Sequence, residues 1–119
     1  MDLRSRIDFT LAPGERKIIG AGFRLAIPEG WEMQIRPRSG SAYKFGITLA
    51  NAVGTVDSDY RSEIGIILLN LGTEPFTAKR GDRIAQAVFA RAPQIQLTVV
   101  ASLDETVRGL GGFGSTGHA

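Results

Sequence analysis

The stretch Trp31-Glu32-Met33-Gln34-Ile35-Arg36 alternates apolar and polar side chains along its whole length. Successive side chains of a β-strand point to opposite faces of the sheet, so this alternation predicts a strand with one buried face. Similar apolar spacing predicts further strands over residues 7–11, 17–27, 84–89 and 94–99. Alternating strands therefore dominate the predicted structure.

Turn residues separate these segments at short intervals. They are Pro13-Gly14, Pro28-Glu29-Gly30, Gly40, Gly54, Gly72, Arg80-Gly81-Asp82 and Pro93. Short strands interrupted in this way are typical of all-β barrels and sandwiches. One or two helical turns are compatible only with the segment from Ser39 to about Phe45, where Ser39 is a candidate N-cap. The prediction is an all-β fold with at most one short helix.

Residues 64–71 form an apolar run that does not alternate. A strand of this kind must be covered on both faces. In a chain of 119 residues the second cover can come from another subunit. The run therefore predicts oligomerisation.

Composition narrows the possible chemistry. The chain has no cysteine, which excludes disulfides and thiol nucleophiles, and its single histidine, His118, leaves little room for histidine-based metal or nucleophile sites. A net charge of +2 forms no broad basic face, so we expect no nucleic-acid partner. No apolar run is long enough to span a membrane, and the first residues show no signal peptide, so we expect no membrane association and a cytoplasmic protein.

The segment Arg36-Pro37-Arg38-Ser39-Gly40-Ser41-Ala42 follows directly from the predicted strand over residues 31–36. Pro37 stands where a nucleophile elbow would need glycine, and no histidine is placed to activate Ser39. Two interpretations remain open. Ser39 is either a helix cap or, with Arg38 and the backbone N–H groups of the turn, a ligand for an anionic oxygen.

Two carboxylates stand two residues apart in Gly54-Thr55-Val56-Asp57-Ser58-Asp59-Tyr60-Arg61. A calcium loop starting at Asp57 would need glutamate where Leu68 stands, so that chemistry is excluded. The segment is either a solvated turn or the carrier of a general base acting on a phosphoryl substrate.

Two further segments have both a structural and a functional interpretation. Arg80-Gly81-Asp82-Arg83-Ile84-Ala85-Gln86 is a turn entering a strand, in which Arg83 and Gln86 are either structural or face a ligand. Gly109-Leu110-Gly111-Gly112-Phe113-Gly114 fits a dinucleotide pattern, but only five residues follow it, too few for the helix that such a site needs. It is either a disordered tail or a mobile loop that closes over a phosphate and a base.

Taken in order, these segments resemble the motifs of the trimeric dUTPase family, the deoxyuridine triphosphate nucleotidohydrolases. The five matching segments are Asp2-Leu3-Arg4, Pro37-Arg38-Ser39-Gly40-Ser41-Ala42, Gly54-Thr55-Val56-Asp57-Ser58-Asp59-Tyr60-Arg61, Arg80-Gly81-Asp82-Arg83-Ile84-Ala85-Gln86 and Arg108-Gly109-Leu110-Gly111-Gly112-Phe113-Gly114-Ser115-Thr116-Gly117. Two departures stand out. Ser62 replaces a usual glycine, and the Ala-Gly that usually precedes the first motif is absent, which leads us to expect an N-terminal shortening.

The resemblance implies a β-clip fold, a distorted jelly-roll-like barrel. Residues 1–107 would form the core, and residues 108–119 would form a flexible, glycine-rich C-terminal arm that closes over the active site. It also implies a homotrimer with its active sites at subunit interfaces. Each site would draw motifs from more than one chain, in agreement with the doubly apolar run over residues 64–71.

The activity that the resemblance implies is hydrolysis of dUTP to dUMP and pyrophosphate with Mg²⁺. This reaction keeps uracil out of DNA and supplies dUMP for thymidylate synthesis. Asp57 would hold and activate the water that attacks the α-phosphorus. The triphosphate would bind most of the Mg²⁺ coordination sphere, and Asp2 would reach the metal through water.

The remaining site residues also follow from the resemblance. Residues 51–60 would form the hairpin that receives uracil, and Tyr60 would lie under the deoxyribose and exclude a 2′-hydroxyl. Phe113 would stack on uracil. The complete set implied to bind substrate is Arg38, Ser39, Gly40, Asn51, Gly54, Val56, Tyr60, Gln86, Arg108, Phe113, Gly114, Ser115 and Thr116.

Two alternatives are weighed against this assignment. A dCTP deaminase shares the family's fold, but aligning its pattern on Asp57 and Asn70 places its catalytic glutamate at Ile67, which has no acid–base chemistry. The second alternative is a non-catalytic, dUTPase-like protein that binds nucleotide or a protein partner. The incomplete first motif favours it, and the intact third, fourth and fifth motifs oppose it.

Overall fold

A computed structural model describes residues 1–118 of the chain. Nine strands and one short helix occur in this part of the chain. In chain order they are β1 (Asp2–Arg4), β2 (Phe9–Leu11), β3 (Arg16–Gly20), β4 (Trp31–Arg36), α1 (Ser39–Phe45), β5 (Ile47–Leu49), β6 (Gly54–Val56), β7 (Gly65–Asn70), β8 (Phe76–Ala78) and β9 (Arg83–Arg91). The predicted all-β class with one short helix is confirmed.

The strands form three antiparallel sheets. The largest has the order β1-β9-β4-β6, the second pairs β2 with β8, and the third has the order β3-β7-β5. Strand β4 pairs with β9 over its whole length, from Trp31 opposite Arg91 to Arg36 opposite Gln86. The segment over residues 31–36 is therefore an interior strand of the sheet that carries the candidate site.

The alternation in β4 has the predicted physical basis. Met33 and Ile35 are buried in the core, whereas the intervening Gln34 is only half-buried and Arg36 is exposed. The core is made mainly of aliphatic side chains, and all three sheets contribute to it, among others through Leu3, Leu11, Ile19, Ile66 and Leu68. Burial of one face of each strand, worth about 25 cal/mol per Å² of apolar surface, is what holds the sheets together.

The strand predicted over residues 17–27 is only partly present. Its ladder with β7 ends at Gly20, opposite Gly65. Gly22 then takes a φ of +82°, in the left-handed region that interrupts a regular strand. The side chains of residues 21–27 still alternate between exposed and at least partly buried, but these residues pair with no other strand. The alternation therefore predicts the burial of these side chains correctly and their strand pairing wrongly.

The prediction of Ser39 as a helix N-cap is wrong. Arg38 is the N-cap, with φ −90° and ψ 128°, and no side chain caps the helix. The Arg38 carbonyl accepts the N–H of Ala42 at 3.0 Å. Ser39 is therefore already helical, and its side chain is exposed beside the first turn.

Strand β7 is covered on one face within the single chain. Ile66, Leu68 and Asn70 are buried, whereas Gly65, Ile67 and Leu69 are half-buried. The sequence predicts that both faces of this strand are covered. In the single subunit the second face, with Gly65, Ile67 and Leu69, is only half-buried.

The strand predicted over residues 94–99 is absent. Ile95, Leu97 and Val99 are 76%, 88% and 99% exposed, and no ladder reaches them. A strand needs a partner for its N–H and C=O groups, and the described part of this chain offers none here. The alternation shows only that one face of such a strand, carrying Ile95, Leu97 and Val99, would be apolar if a partner strand were present.

The molecule is extended rather than compact. The Cα radius of gyration is 19.0 Å, whereas a compact chain of this length has a radius of about 13 to 14 Å. Residues 93–110 are all exposed, which accounts for the extension. Within residues 1–118 no helix combines the length and apolar character needed to cross a bilayer.

Candidate functional site

The first group of predicted site residues meets at one end of the largest sheet. Asp2 on β1 lies opposite Gln86 on β9, which in turn lies opposite Arg36 at the end of β4. The residues after β4 thereby come next to β1. We call Asp2, Arg38, Arg83 and Gln86 the guanidinium cluster.

Short contacts define this cluster. Arg38 Nη1 donates to the Arg83 carbonyl at 3.2 Å, and Gln86 Nε2 donates to the Pro37 carbonyl at 3.0 Å. The Asp2 carboxylate lies 3.6 Å from Arg83 Nη1 and 4.0 Å from Arg38 Nε. Two guanidinium groups around a single carboxylate leave an excess positive charge, which suits a polyanionic ligand.

Backbone pairing holds Asp2 in place. Met1 accepts the Ala87 N–H at 2.7 Å and donates from its N-terminal amino group to the Ala87 carbonyl at 2.8 Å. The ladder thus extends to the first residue, and Leu3 beside Asp2 is fully buried. The pairing of β1 with β9 therefore fixes the position of Asp2.

The third motif forms a second group around a cavity of about 300 Å³. We call it the hairpin cavity. Five predicted site residues line it, namely Asn51, Gly54, Val56, Asp57 and Tyr60. Its other walls are Ile18, Ile35, Thr55, Ile64, Gly65 and Ile67.

Glycine at position 54 shapes this cavity. A Cβ there would lie 3.2 Å from the Ile35 Cβ and 3.5 Å from Asn51 Nδ2. The bare backbone therefore leaves room beside the Asn51 amide, where N–H and C=O groups are accessible to a flat polar ligand.

Asp57 lines the cavity and is exposed. The turn that follows it is held by backbone bonds, because the Tyr60 N–H donates to the Asp57 carbonyl at 3.2 Å. Arg61 Nη1 donates to the carbonyls of Ser58 and Tyr60 at 2.6 and 3.0 Å. The carboxylate itself is thus left free for a ligand or water.

The two groups do not meet within one subunit. Asp2 on β1 and Gly54 on β6 lie at opposite edges of the four-stranded sheet, and three strand spacings amount to about 14 Å. The Arg38 guanidinium turns toward β9 and β1, away from the hairpin cavity. One chain therefore presents two separate half-sites.

The fifth motif meets neither half-site within the described residues. Phe113 is fully exposed, and Arg108 Nε donates locally to the Gly111 carbonyl at 2.8 Å. The N–H of Ser115 likewise donates to the nearby Gly112 carbonyl at 3.0 Å. Gly114 and Thr116 are also exposed.

The structure adds residues that sequence reasoning did not select. The sequence leaves Arg83 as either structural or ligand-facing, and its contact with Asp2 brings it into the guanidinium cluster. Ile18 and Ile67 line the hairpin cavity. Proximity to Gln86 in the fourth motif was a signal for Arg83, whereas no local pattern marked Ile18, because its role depends on the pairing of β3 with β7.

Comparisons with known proteins identify the family. The family model described as dUTPase matches residues 1–117. A deoxyuridine 5'-triphosphate nucleotidohydrolase of Caulobacter vibrioides is 57% identical over 120 residues, which cover 98% of this chain and 77% of the relative.

Two solved structures share the fold. One is a dUTPase of Staphylococcus bacteriophage 80alpha with dUpNHpp, with a TM-score of 0.90 at 23% identity over 98% of this chain and 85% of that one. The other is a dUTPase from phage phi11 of S. aureus, described with a structural Mg(II) ion, with a TM-score of 0.81 at 21% identity over 87% of this chain and 84% of that one. The predicted β-clip, a distorted jelly-roll-like barrel, is confirmed, and the chain belongs to the dUTPase family.

Proposed function

We propose that this protein hydrolyses dUTP to dUMP and pyrophosphate in the presence of Mg²⁺. The observation that carries the proposal is the pair of half-sites with complementary chemistry. One is a cavity of about 300 Å³ whose lining includes the Asp57 carboxylate, and the other is a cluster of guanidinium groups. The reaction keeps uracil out of DNA and supplies dUMP for thymidylate synthesis.

The hairpin cavity binds the deoxyuridine. Asn51, Gly54 and Val56 present the uracil with amide and backbone groups that imitate a pairing partner, and the tight apolar wall excludes a 5-methyl group. Tyr60 lies under the deoxyribose and leaves no room for a 2′-hydroxyl. Ile67 in the cavity wall supplies no carboxylate, which opposes the dCTP deaminase alternative.

The guanidinium cluster and the first turn of α1 bind the phosphates. Arg38, Ser39 and Gly40 offer a cation, a hydroxyl and backbone N–H groups, all suited to anionic oxygens. Gln86 adds a contact from the fourth motif. These groups hold the triphosphate in line for displacement at the α-phosphorus.

Asp57 acts as the general base. Its carboxylate orients a water molecule and takes one of its protons as the water oxygen bonds to the α-phosphorus. The bond from the α-phosphorus to the bridging oxygen breaks, and the electron pair leaves with pyrophosphate. The products are dUMP and pyrophosphate, and the proton on Asp57 passes to solvent.

The residues present fit a Mg²⁺ ion held mainly by the substrate. Among residues 1–118 no three carboxylate or histidine side chains are grouped to form a metal cage. Mg²⁺ typically keeps several waters and binds one or two carboxylates together with substrate phosphates, and Asp2 in the guanidinium cluster is a suitable carboxylate. When bound, the ion offsets negative charge on the triphosphate.

A homotrimer completes the sites. The half-sites of one chain lie about 14 Å apart, so a second subunit must bring a hairpin cavity to a guanidinium cluster. The exposed apolar residues Ile95, Leu97 and Val99 and the partly covered face of β7 provide surfaces for such contacts. Residues 1–107 belong to the core domain, of which residues 93–107 are exposed in the single chain. The segment that starts at residue 108 forms the arm that closes over a site, and residue 119 of that segment lies outside the described residues.

In that arm, Phe113 stacks on the uracil. Arg108, Ser115 and Thr116 close over the phosphates, and Gly114 gives the arm a φ of +83° that a side chain would oppose. The exposure of these residues in the single chain is consistent with an arm that closes only on a bound nucleotide.

Product analysis tests the proposed function. Purified protein is incubated with dUTP, with Mg²⁺ or with EDTA, and pyrophosphate and dUMP are measured together with ammonia release from dCTP. We expect Mg²⁺-dependent pyrophosphate from dUTP and no ammonia. Ammonia from dCTP would support the deaminase, and nucleotide binding without any product would support the non-catalytic alternative.

A further inference from the structure

Glu63 ties together three segments near the hairpin cavity. Its Oε1 accepts the backbone N–H of Gly22 at 2.9 Å, and its Oε2 lies 3.2 Å from Arg6 Nη1. Arg6 belongs to the segment after β1, and Gly22 to the segment after β3. Glu63 itself lies three residues after the turn that Asp57 and Tyr60 close.

The carboxylate also packs closely on β3. A Cβ at Gly20 would lie 2.5 Å from Glu63 Oε1 and 3.3 Å from Arg6 Nε. Gly20 has an ordinary backbone conformation, since its φ does not lie in the positive region. Glycine is therefore needed at position 20 because Glu63 approaches closely, and not because the backbone takes a positive φ.

This anchor connects directly to Tyr60. The Tyr60 phenol donates to the Glu63 carbonyl at 2.9 Å, and the Tyr60 ring lines the hairpin cavity. The position of the Glu63 backbone therefore sets the tilt of the ring. Tyr60 also closes the turn that begins at Asp57, because its N–H donates to the Asp57 carbonyl at 3.2 Å.

We infer that Glu63 is a positioning residue for sugar selection. By binding Gly22 and Arg6 it fixes the Glu63 carbonyl, which holds the Tyr60 ring against the deoxyribose. The inference rests on the proposed function, because Tyr60 selects the sugar only if dUTP occupies the cavity.

The bond to Gly22 carries more of this effect than the ion pair. The side chains of Arg6 and Glu63 are 58% and 32% exposed, and ion pairs at such exposure contribute little. A glutamine at position 63 keeps an oxygen for the Gly22 N–H and loses only the charge. Glu63→Gln should therefore behave like the wild type, and Glu63→Ala should not.

The test compares kcat/KM for dUTP and for UTP. In Glu63→Ala we expect the dUTP-to-UTP ratio to fall about three- to tenfold, the loss that one freed hydrogen bond produces. Glu63→Gln should restore the ratio to within about twofold of wild type. The matched control is Glu15→Ala, which removes a carboxylate paired with Lys17 at 2.8 Å, outside the site, and should leave the ratio unchanged.

A second variant covers a failure of Glu63→Ala to fold. Gly20→Ala retains Glu63 but displaces its carboxylate, and it should lower the ratio in the same direction. Melting temperature and light scattering are recorded for every variant. An unchanged ratio in Glu63→Ala and Gly20→Ala, with or without a lower melting temperature, overturns the inference and leaves the proposed function standing. A wild-type protein that does not hydrolyse dUTP contradicts both.

Discussion

At the scale of single residues, the proposed general base is Asp57. It lines the hairpin cavity and is exposed, and its carbonyl accepts the Tyr60 N–H. Asp57→Asn keeps the shape and removes the base, so we expect kcat to fall by about 10²- to 10⁴-fold with little change in dUTP binding. Pyrophosphate release and titration with a non-hydrolysable dUTP analogue measure the two effects.

The matched control for Asp57 is Asp59→Asn, two residues further along the same turn. Asp59 is exposed and does not line the hairpin cavity, so its replacement should leave kcat close to wild type. Near-normal turnover by Asp57→Asn would refute the assignment of the base.

Asn70 illustrates a residue that is purely structural. It is fully buried, its Nδ2 donates to the carbonyls of Leu11 and Glu74 at 2.9 Å each, and its Oδ1 accepts the Gly72 N–H at 2.8 Å. Asn70→Ala removes the side-chain partner of three backbone groups, and we expect it to lower the free energy of unfolding by about 2 to 5 kcal/mol.

Denaturant unfolding at matched protein concentration measures this loss, since subunit association contributes to stability. The control is Asn51→Ala, which removes an exposed amide and should change the free energy of unfolding by less than about 0.5 kcal/mol. Equal effects of the two changes would contradict the structural role of Asn70.

Asp8 gives the fold a predictable response to acid. The N–H of Arg80, which donates to Asp8 Oδ1 at 2.8 Å, lowers the pKa of the Asp8 carboxyl, and Lys79 adds to this while desolvation opposes it. Because the folded-state pKa lies below the unfolded one, this stabilisation is present above the ordinary pKa of 3.8 and is lost as pH falls through the lowered value.

Melting temperatures of wild type and Asp8→Asn, measured from neutral pH down to about pH 3, test this response. We expect the variant to melt lower at neutral pH and the difference to shrink as the wild-type carboxyl becomes protonated. A difference that stays constant over the whole range would show that Asp8 acts through packing and not through its charge.

At the scale of elements, alternation predicted strands well wherever a partner strand exists in the same chain. Residues 31–36 and 84–89 lie in β4 and β9 as predicted, and α1 spans the predicted Ser39–Phe45. The alternation over residues 94–99 was equally regular and gave no strand. The alternation of side chains predicts which face of a strand can be buried. Whether the strand forms depends on a neighbouring strand with which it can pair, and the alternation does not contain that information.

The candidate site was predictable to a similar degree. The motifs named Asp2, Arg38 and Gln86, and the sheet order brings them together. Ile18 and Ile67 could not be found in this way, because only the ladder between β3 and β7 places them in one cavity wall. Contacts between residues distant in sequence are set by strand order, which no local motif contains.

The C-terminal arm is an element whose role can be tested separately from the fold. Residues 108–118 make no hydrogen bond to residues 1–92 in the described chain. Deletion after Val107, or Phe113→Ala, should therefore lower kcat/KM for dUTP by at least about tenfold without lowering the melting temperature. Steady-state kinetics and thermal unfolding on the same samples check this expectation.

Phe89→Ala provides a control for the arm, because Phe89 is a 45% exposed aromatic on the well-paired strand β9. It should leave kcat/KM close to wild type. A large drop in melting temperature on deletion after Val107 would mean instead that the arm is part of the folded core.

At the scale of the whole molecule, the proposed function needs groups that the single chain does not bring together. Its two half-sites lie at opposite edges of one sheet, and its arm is exposed. In a symmetric assembly, each subunit can contribute its hairpin cavity or its arm to a neighbour's site and receive the same groups from another neighbour. This predicts that catalytic groups from different subunits act in one site.

Subunit complementation tests that claim most directly. Asp57→Asn and the chain deleted after Val107 are co-expressed with different tags, and mixed assemblies are isolated and assayed for pyrophosphate release from dUTP. Each variant alone should be nearly inactive. If base and arm come from different subunits of a trimer, each isolated mixed assembly should hold one intact site in three, so about a third of wild-type activity should be recovered. Activity no higher than the sum of the two separate variants would contradict a site shared between subunits.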